Sequence, residues 1–134
     1  MSAYTPRLGR AAEATYRQID LAGRTAGADA HGLVDLLYEE LNRALGATAS
    51  AIRAGNLAVK SEKIARAVAI LFALEAGLDF ERGGGIAKTL AGVYRGARKQ
   101  IIDASLGLDP QPFLEVATNL AEIAAAWRQV RGAA

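Results

Sequence analysis

A chain of 134 residues is long enough for one core without staples, and its lack of cysteine excludes disulfides and thiolate metal ligands. An apolar share of 51% against 22% charged excludes an intrinsically disordered chain, and much of that apolar share is alanine, a helix former. With 16 basic and 14 acidic side chains the formal charge is only +2, so the pI of 9.2 marks no nucleic-acid-scale patch.

In chain order, Met1–Leu8 lacks the basic-then-apolar order of a secretory leader. Leu8–Ala22 reads as a short, less regular helical segment carrying Tyr16, Ile19 and Leu21, followed by a Gly/Ala link over Ala22–Ala28. Asp29 then suits the cap of a helix with Leu33, Leu37, Leu41, Ala44, Thr48 and Ile52 at intervals of three and four. Gly55 suits its end and Asn56 the cap of the next. The second helix places Leu57, Ile64, Val68, Leu71, Glu75 and Leu78 on one side and runs out at Asp79, before a turn over Glu81-Arg82-Gly83-Gly84-Gly85. The third carries Ile86, Leu90, Val93, Ala97, Ile101, Ala104 and Leu108. Gly107 suits its end, and Asp109-Pro110 reads as an N-cap with proline at the first helical position. The fourth helix carries Phe113, Val116, Leu120, Ile123, Trp127 and Val130 in a near-heptad seam.

Four helices joined by short connections are expected to be antiparallel neighbours. The expected fold is an all-α, antiparallel up-down four-helix bundle over residues 29–134, preceded by an N-terminal helical segment and linker over 1–28. The longest strongly apolar stretch, Ile64–Leu74, carries Arg66 and is too short for a bilayer core of about 30 Å. A cytoplasmic location without membrane insertion is expected.

The apolar set is wider than one seam per helix needs. At about 100° per residue, Ile102 and Leu106 lie away from the third helix's stripe, and Ile70 and Phe72 flank the second's on opposite sides. Val34, Tyr38 and Leu45 form a second stripe on the first helix. The N-terminal segment covers some of these in this reading, and a partner covers the rest.

No chemistry emerges from the remaining motifs. Gly83-Gly84-Gly85-Ile86-Ala87-Lys88-Thr89 ends like a phosphate-binding loop, but Ala87 and Arg82 occupy the required glycine positions. A glycine-rich turn between helices is the simpler reading. His31 is the only histidine and has no partner set for ligation or base work. Glu39, Glu40, Glu62 and Glu75 lack the Glu-x-x-His pairs of carboxylate-bridged metal bundles. No cofactor is expected, and no enzymatic role. Tyr94 and Trp127 read as core, whereas Tyr16 lies outside the four-helix unit, where packing and partner contact are both open. The cluster Arg95, Arg98 and Lys99 has no interleaved aromatics of the kind single-strand binders use, so no nucleic-acid partner is expected.

Taken in order, Thr15-Tyr16-Arg17-Gln18-Ile19, Gly32-Leu33-Val34-Asp35-Leu36-Leu37-Tyr38-Glu39, Ala51-Ile52 with Gly55-Asn56, and Lys60-Ser61-Glu62-Lys63-Ile64-Ala65-Arg66-Ala67 resemble the flagellar secretion chaperone FliS family. Leu78-Asp79-Phe80-Glu81, Ile86-Ala87-Lys88-Thr89-Leu90, Val93-Tyr94 and Ala126-Trp127 extend the resemblance collinearly to about Val130. The resemblance implies a helical bundle that binds the C-terminal segment of flagellin in the cytoplasm and delivers it to the membrane component of the export gate. It also implies that the segment around Tyr16 takes part in gate docking and covers the groove before the client arrives. Tyr16, Ile19, Ile70, Phe72, Ile102 and Leu106 are the expected partner-binding residues. The alternative is a helical regulatory adaptor for another protein helix, which shares fold and surface and differs only in its partner.

Overall fold

Each junction of the bundle is set by one or two residues whose side chains or backbone suit no other position. The structure, a computed structural model, describes residues 30–133. The expected N-terminal segment with Tyr16 and Ile19, the Gly/Ala link and the Asp29 cap lie outside the described residues. Helix α1 spans Ala30–Ala54, α2 Leu57–Ala76, α3 Phe80–Ala104 and α4 Gln111–Ala133. α1 packs on α2 and α4, and α3 packs on the same two helices, closing a ring. This is the all-α up-down bundle expected from the sequence.

The first junction uses two residues. Gly55 takes the left-handed conformation at φ 71°, its N–H bonds the Ile52 carbonyl, and the Asn56 N–H bonds the Ala51 carbonyl at 2.8 Å. That is a Schellman closure of α1. The Asn56 side chain in turn accepts from the Val59 N–H and caps α2. At the third junction the Asp109 carboxylate accepts from the Gln111 N–H at 2.9 Å, as the Asp-Pro pattern predicts.

The second junction departs from expectation. Asp79 is not merely where α2 runs out; its carboxylate accepts from the Glu81 and Arg82 N–H groups and caps α3. A helical turn therefore forms over residues expected to be loop. The break comes later, at Gly84, whose φ of 50° and ψ of −125° are non-helical. Glycine there permits a kink rather than a connection. Thr89, the last residue of the phosphate-loop-like motif, donates its hydroxyl to the Gly85 carbonyl of its own helix.

The buried faces of α2 and α3 are rotated from the expected stripes. On α3 the buried residues are Gly83, Ala87, Ala91, Tyr94, Ala97 and Ile101, while Ile86 is 59% exposed and Leu108 lies beyond the helix, also exposed. Periodicity weighted by large side chains pointed to Ile86 and Leu90. Packing instead chose the alanines, which let neighbouring helices approach. On α2, Ala67, Ile70, Leu71, Ala73 and Leu74 are buried, and Leu57 is exposed. The second stripe of α1, Val34, Tyr38 and Leu45, is buried in the main core beside Leu37 and Leu41, so it needs no further cover. Phe113, Val116 and Leu120 of α4 are buried as expected, joined by Ala124.

At the centre, the hydroxyls of Tyr38 on α1 and Tyr94 on α3 meet at 2.6 Å across the diagonal of the ring, with both rings buried. Each phenol gives the other a partner that the apolar core cannot supply. Burial, and then the neighbouring phenol, push Tyr38 far above the ordinary tyrosine range, so it stays neutral. In a urea-denaturation cycle, Tyr38→Phe and Tyr94→Phe are each expected to cost about 1 kcal/mol, and the double variant less than the sum. Strict additivity would mean the hydroxyl pair is not a coupled contact.

Candidate partner-binding surface

Polar contacts from both ends of α2 tie it to α3, and large apolar side chains near them stay in solvent. At one end Lys60, itself buried, donates its Nζ to the carbonyls of Ser105 at 3.0 Å and Gly107 at 2.8 Å. These are orphan carbonyls at and beyond the C-terminus of α3, where a cation is favoured. They also flank Leu106, so the lysine fixes the backbone on either side of a leucine that is 89% exposed. At the other end the Glu75 carboxylate accepts from Arg95 Nε at 2.7 Å and from Arg98. The Arg98 guanidinium stacks on the ring of Phe72, 4.0 Å from its centroid.

Phe72 is 55% exposed and Ile102, one helical turn beyond Arg98, is 51% exposed. The exposed Leu57 lies at the α2 end near Lys60, and Phe80 is exposed at the start of α3. From Phe72 back to Leu57 is 15 residues of α2, or about 22 Å at the helical rise. Beside Phe72, the residues Leu78, Phe80, Glu75, Ala76, Arg95 and Arg98 line a cavity of about 360 Å³. A second hollow of about 410 Å³ between α3 and α4 is lined largely by polar side chains, including Lys99, Gln100, Asp103 and Glu115.

Of the six residues expected to meet a partner, Phe72, Ile102 and Leu106 are exposed, and of these Phe72 lines the hollow between α2 and α3. Ile70 is a correction. It is fully buried, because the flank of α2 opposite Phe72 turns toward α1, where Arg66 on that side pairs with Glu40 at 2.7 Å. Tyr16 and Ile19 lie outside the described residues. Sequence reasoning missed Phe80, which the expected loop hid, and Lys60, which no periodicity marks. It saw Arg95, Arg98 and Lys99 as a basic cluster; in the fold Glu75 pairs with the first two and Asp103 with Lys99. Tyr94 is core as expected. The side chains of His31 and Trp127 lie outside those described. Among the described residues, no group of three His, Asp or Glu side chains is placed to hold a metal ion, and no helix is long and apolar enough to cross a membrane.

The described residues thus form an all-helical bundle that leaves large phenylalanine, isoleucine and leucine side chains in solvent. The chain belongs to the FliS family: the model described as "Flagellar protein FliS" matches residues 12–134. It is 33% identical over 116 residues to the flagellar secretion chaperone FliS of Salmonella typhimurium, covering 86% of each chain. It is 31% identical over 115 residues to that of Vibrio cholerae, covering 86% of this chain and 85% of the relative. To the flagellar secretion chaperone FliSB of Pseudomonas aeruginosa it is 27% identical over 112 residues, covering 84% and 89%.

Burial raises the Glu75 carboxyl, but the hydrogen bonds and charges of Arg98 and Arg95 outweigh it and hold the group below its ordinary value of 4.5. Its folded pKa is thus depressed, so its contribution to stability is complete above about pH 4.5 and is lost as pH falls through the lower folded value. Acid denaturation followed by circular dichroism should show wild type losing stability below pH 4.5 more steeply than Glu75→Gln. Parallel acid limbs would exclude Glu75 as a contributor.

Proposed function

We propose that this protein is a cytoplasmic flagellar secretion chaperone that binds the C-terminal segment of flagellin, prevents its premature polymerisation and delivers it to the membrane component of the export gate. The observation that carries this reading is the exposure of Phe72, Ile102 and Leu106 on α2, α3 and the turn after it, in a chain whose relatives are flagellar secretion chaperones. A monomeric bundle gains nothing by leaving such side chains in water, since covering each is worth about 1.5–3 kcal/mol gross. An amphipathic client helix supplies the cover in helix-in-groove fashion. The client's ordering entropy offsets part of that gain, which keeps the complex releasable at the gate. Tyr16 and Ile19 belong in this reading to the segment that guards the groove and meets the gate.

Calorimetric titration with intact flagellin, and with flagellin lacking its C-terminal segment, tests the proposal. Binding of the first alone is expected; binding of neither would leave a bundle that serves as an adaptor for some other helix. Ile102→Glu and Leu106→Glu are expected to abolish client binding while changing folding stability by no more than about 0.5 kcal/mol, as for other exposed positions. Loss of helicity in these variants would make them core residues and remove them from the client surface.

A further inference from the structure

We infer that the cavity at the end of α2 is where the surface selects among helices: it takes an apolar side chain of the client, and Arg95 pairs with a carboxylate one helical turn away on the same client face. This deepens the chaperone reading and rests on it. Phe72, Leu78 and Phe80 give the cavity its apolar lining, and its volume of about 360 Å³ admits a leucine or phenylalanine side chain. The exposed Arg95 stands at its rim, while Arg98 and the Glu75 carboxylate that both arginines pair with are more buried; the three carry a net charge of +1.

The two arginines are not equivalent. Arg98 is committed, since it stacks on Phe72 and pairs with Glu75, and only 14% of its side chain is exposed. Arg95 engages Glu75 through Nε alone while 63% of its side chain is exposed, and its terminal nitrogens have no hydrogen-bond partner among the described residues. A planar fork with spare donors at the edge of an apolar hollow matches a carboxylate. Apolar and acidic residues three or four positions apart lie on one helical face and reach both features together. A neutral helix would fill the hollow and leave the excess charge partly desolvated, and a basic one would be repelled. The site thus discriminates against both.

The test is titration of the purified flagellin C-terminal segment into wild type, Arg95→Glu and Arg95→Gln at low and high salt. Wild-type affinity is expected to fall as salt screens the rim contact. Arg95→Glu should bind roughly ten-fold more weakly or worse at low salt and reverse that salt dependence, and Arg95→Gln should lose it, with the larger share of the change in the association rate. Equal affinity and equal salt dependence in wild type and both variants would overturn the inference and leave the chaperone reading intact. Failure of wild type itself to bind would overturn the chaperone reading and this inference with it. If the new glutamate beside Glu75 reduces helicity, Arg95→Gln carries the same comparison without added repulsion.

Discussion

The contact on which the surface depends is the hydrogen bond between Tyr38 and Tyr94 at the centre of the ring. Two buried hydroxyls must find partners, and the bond between them sets the rotation of α3 about its own axis. With Tyr94 inward, the residues on either side of it in the core are Ala87, Ala91, Ala97 and Ile101. Ile102 and Arg95 then fall about 80–100° away on the flank toward α2, and Ile86 falls on the opposite flank. The rotation of α3 that brings Tyr94 and the small residues inward is thus the one that leaves Ile102 exposed. Had α3 turned its larger side chains inward, the tyrosine hydroxyls would lose each other and the alanines would line the outside.

The polar contacts along α2 and α3 act on the surface as much as on stability. Lys60 holds the two carbonyls that bracket Leu106, so the leucine sits on a fixed backbone and not on a free loop. Arg98 holds Phe72 by its ring face, and Glu75 holds Arg98. A binding surface whose anchors are already positioned loses less entropy on association than one that must order them. Under the proposed function, a chaperone for an unordered segment gains from that asymmetry, because the client alone bears the ordering.

The basic cluster on α3 illustrates how charge read along a chain differs from charge read in space. Arg95, Arg98 and Lys99 look like a patch in sequence, yet Glu75 is brought across from α2 to two of them and Asp103 lies one turn on from the third. What is left over from these pairs is the exposed Arg95 guanidinium edge beside an apolar-lined hollow. That is a feature suited to a side chain on a helix.

The sequence by itself determined the class of fold, the four helices among the described residues and the junctions at Gly55-Asn56 and Asp109-Pro110. Gly55-Asn56 and Asp109-Pro110 act through their own backbone and side chains on residues two to five positions away, and such local chemistry is readable without a third dimension. The ordered run of residues from Thr15 to Trp127 also marked the family. Of the candidate surface, Phe72, Ile102 and Leu106 were legible as apolar residues off the stripes, whereas Ile70 had the same signature and proved to be core. A helical wheel gives angles within one helix but not which flank meets a neighbour. Only the tertiary structure decided that α2 turns Ile70 toward α1 and Phe72 toward the groove, that α3 buries alanines in place of Ile86, and that Lys60 clasps the end of a helix 45 residues away. Those choices depend on the fit of four helices at once, through close approach of small side chains and the satisfaction of buried polar groups, and no single segment encodes them.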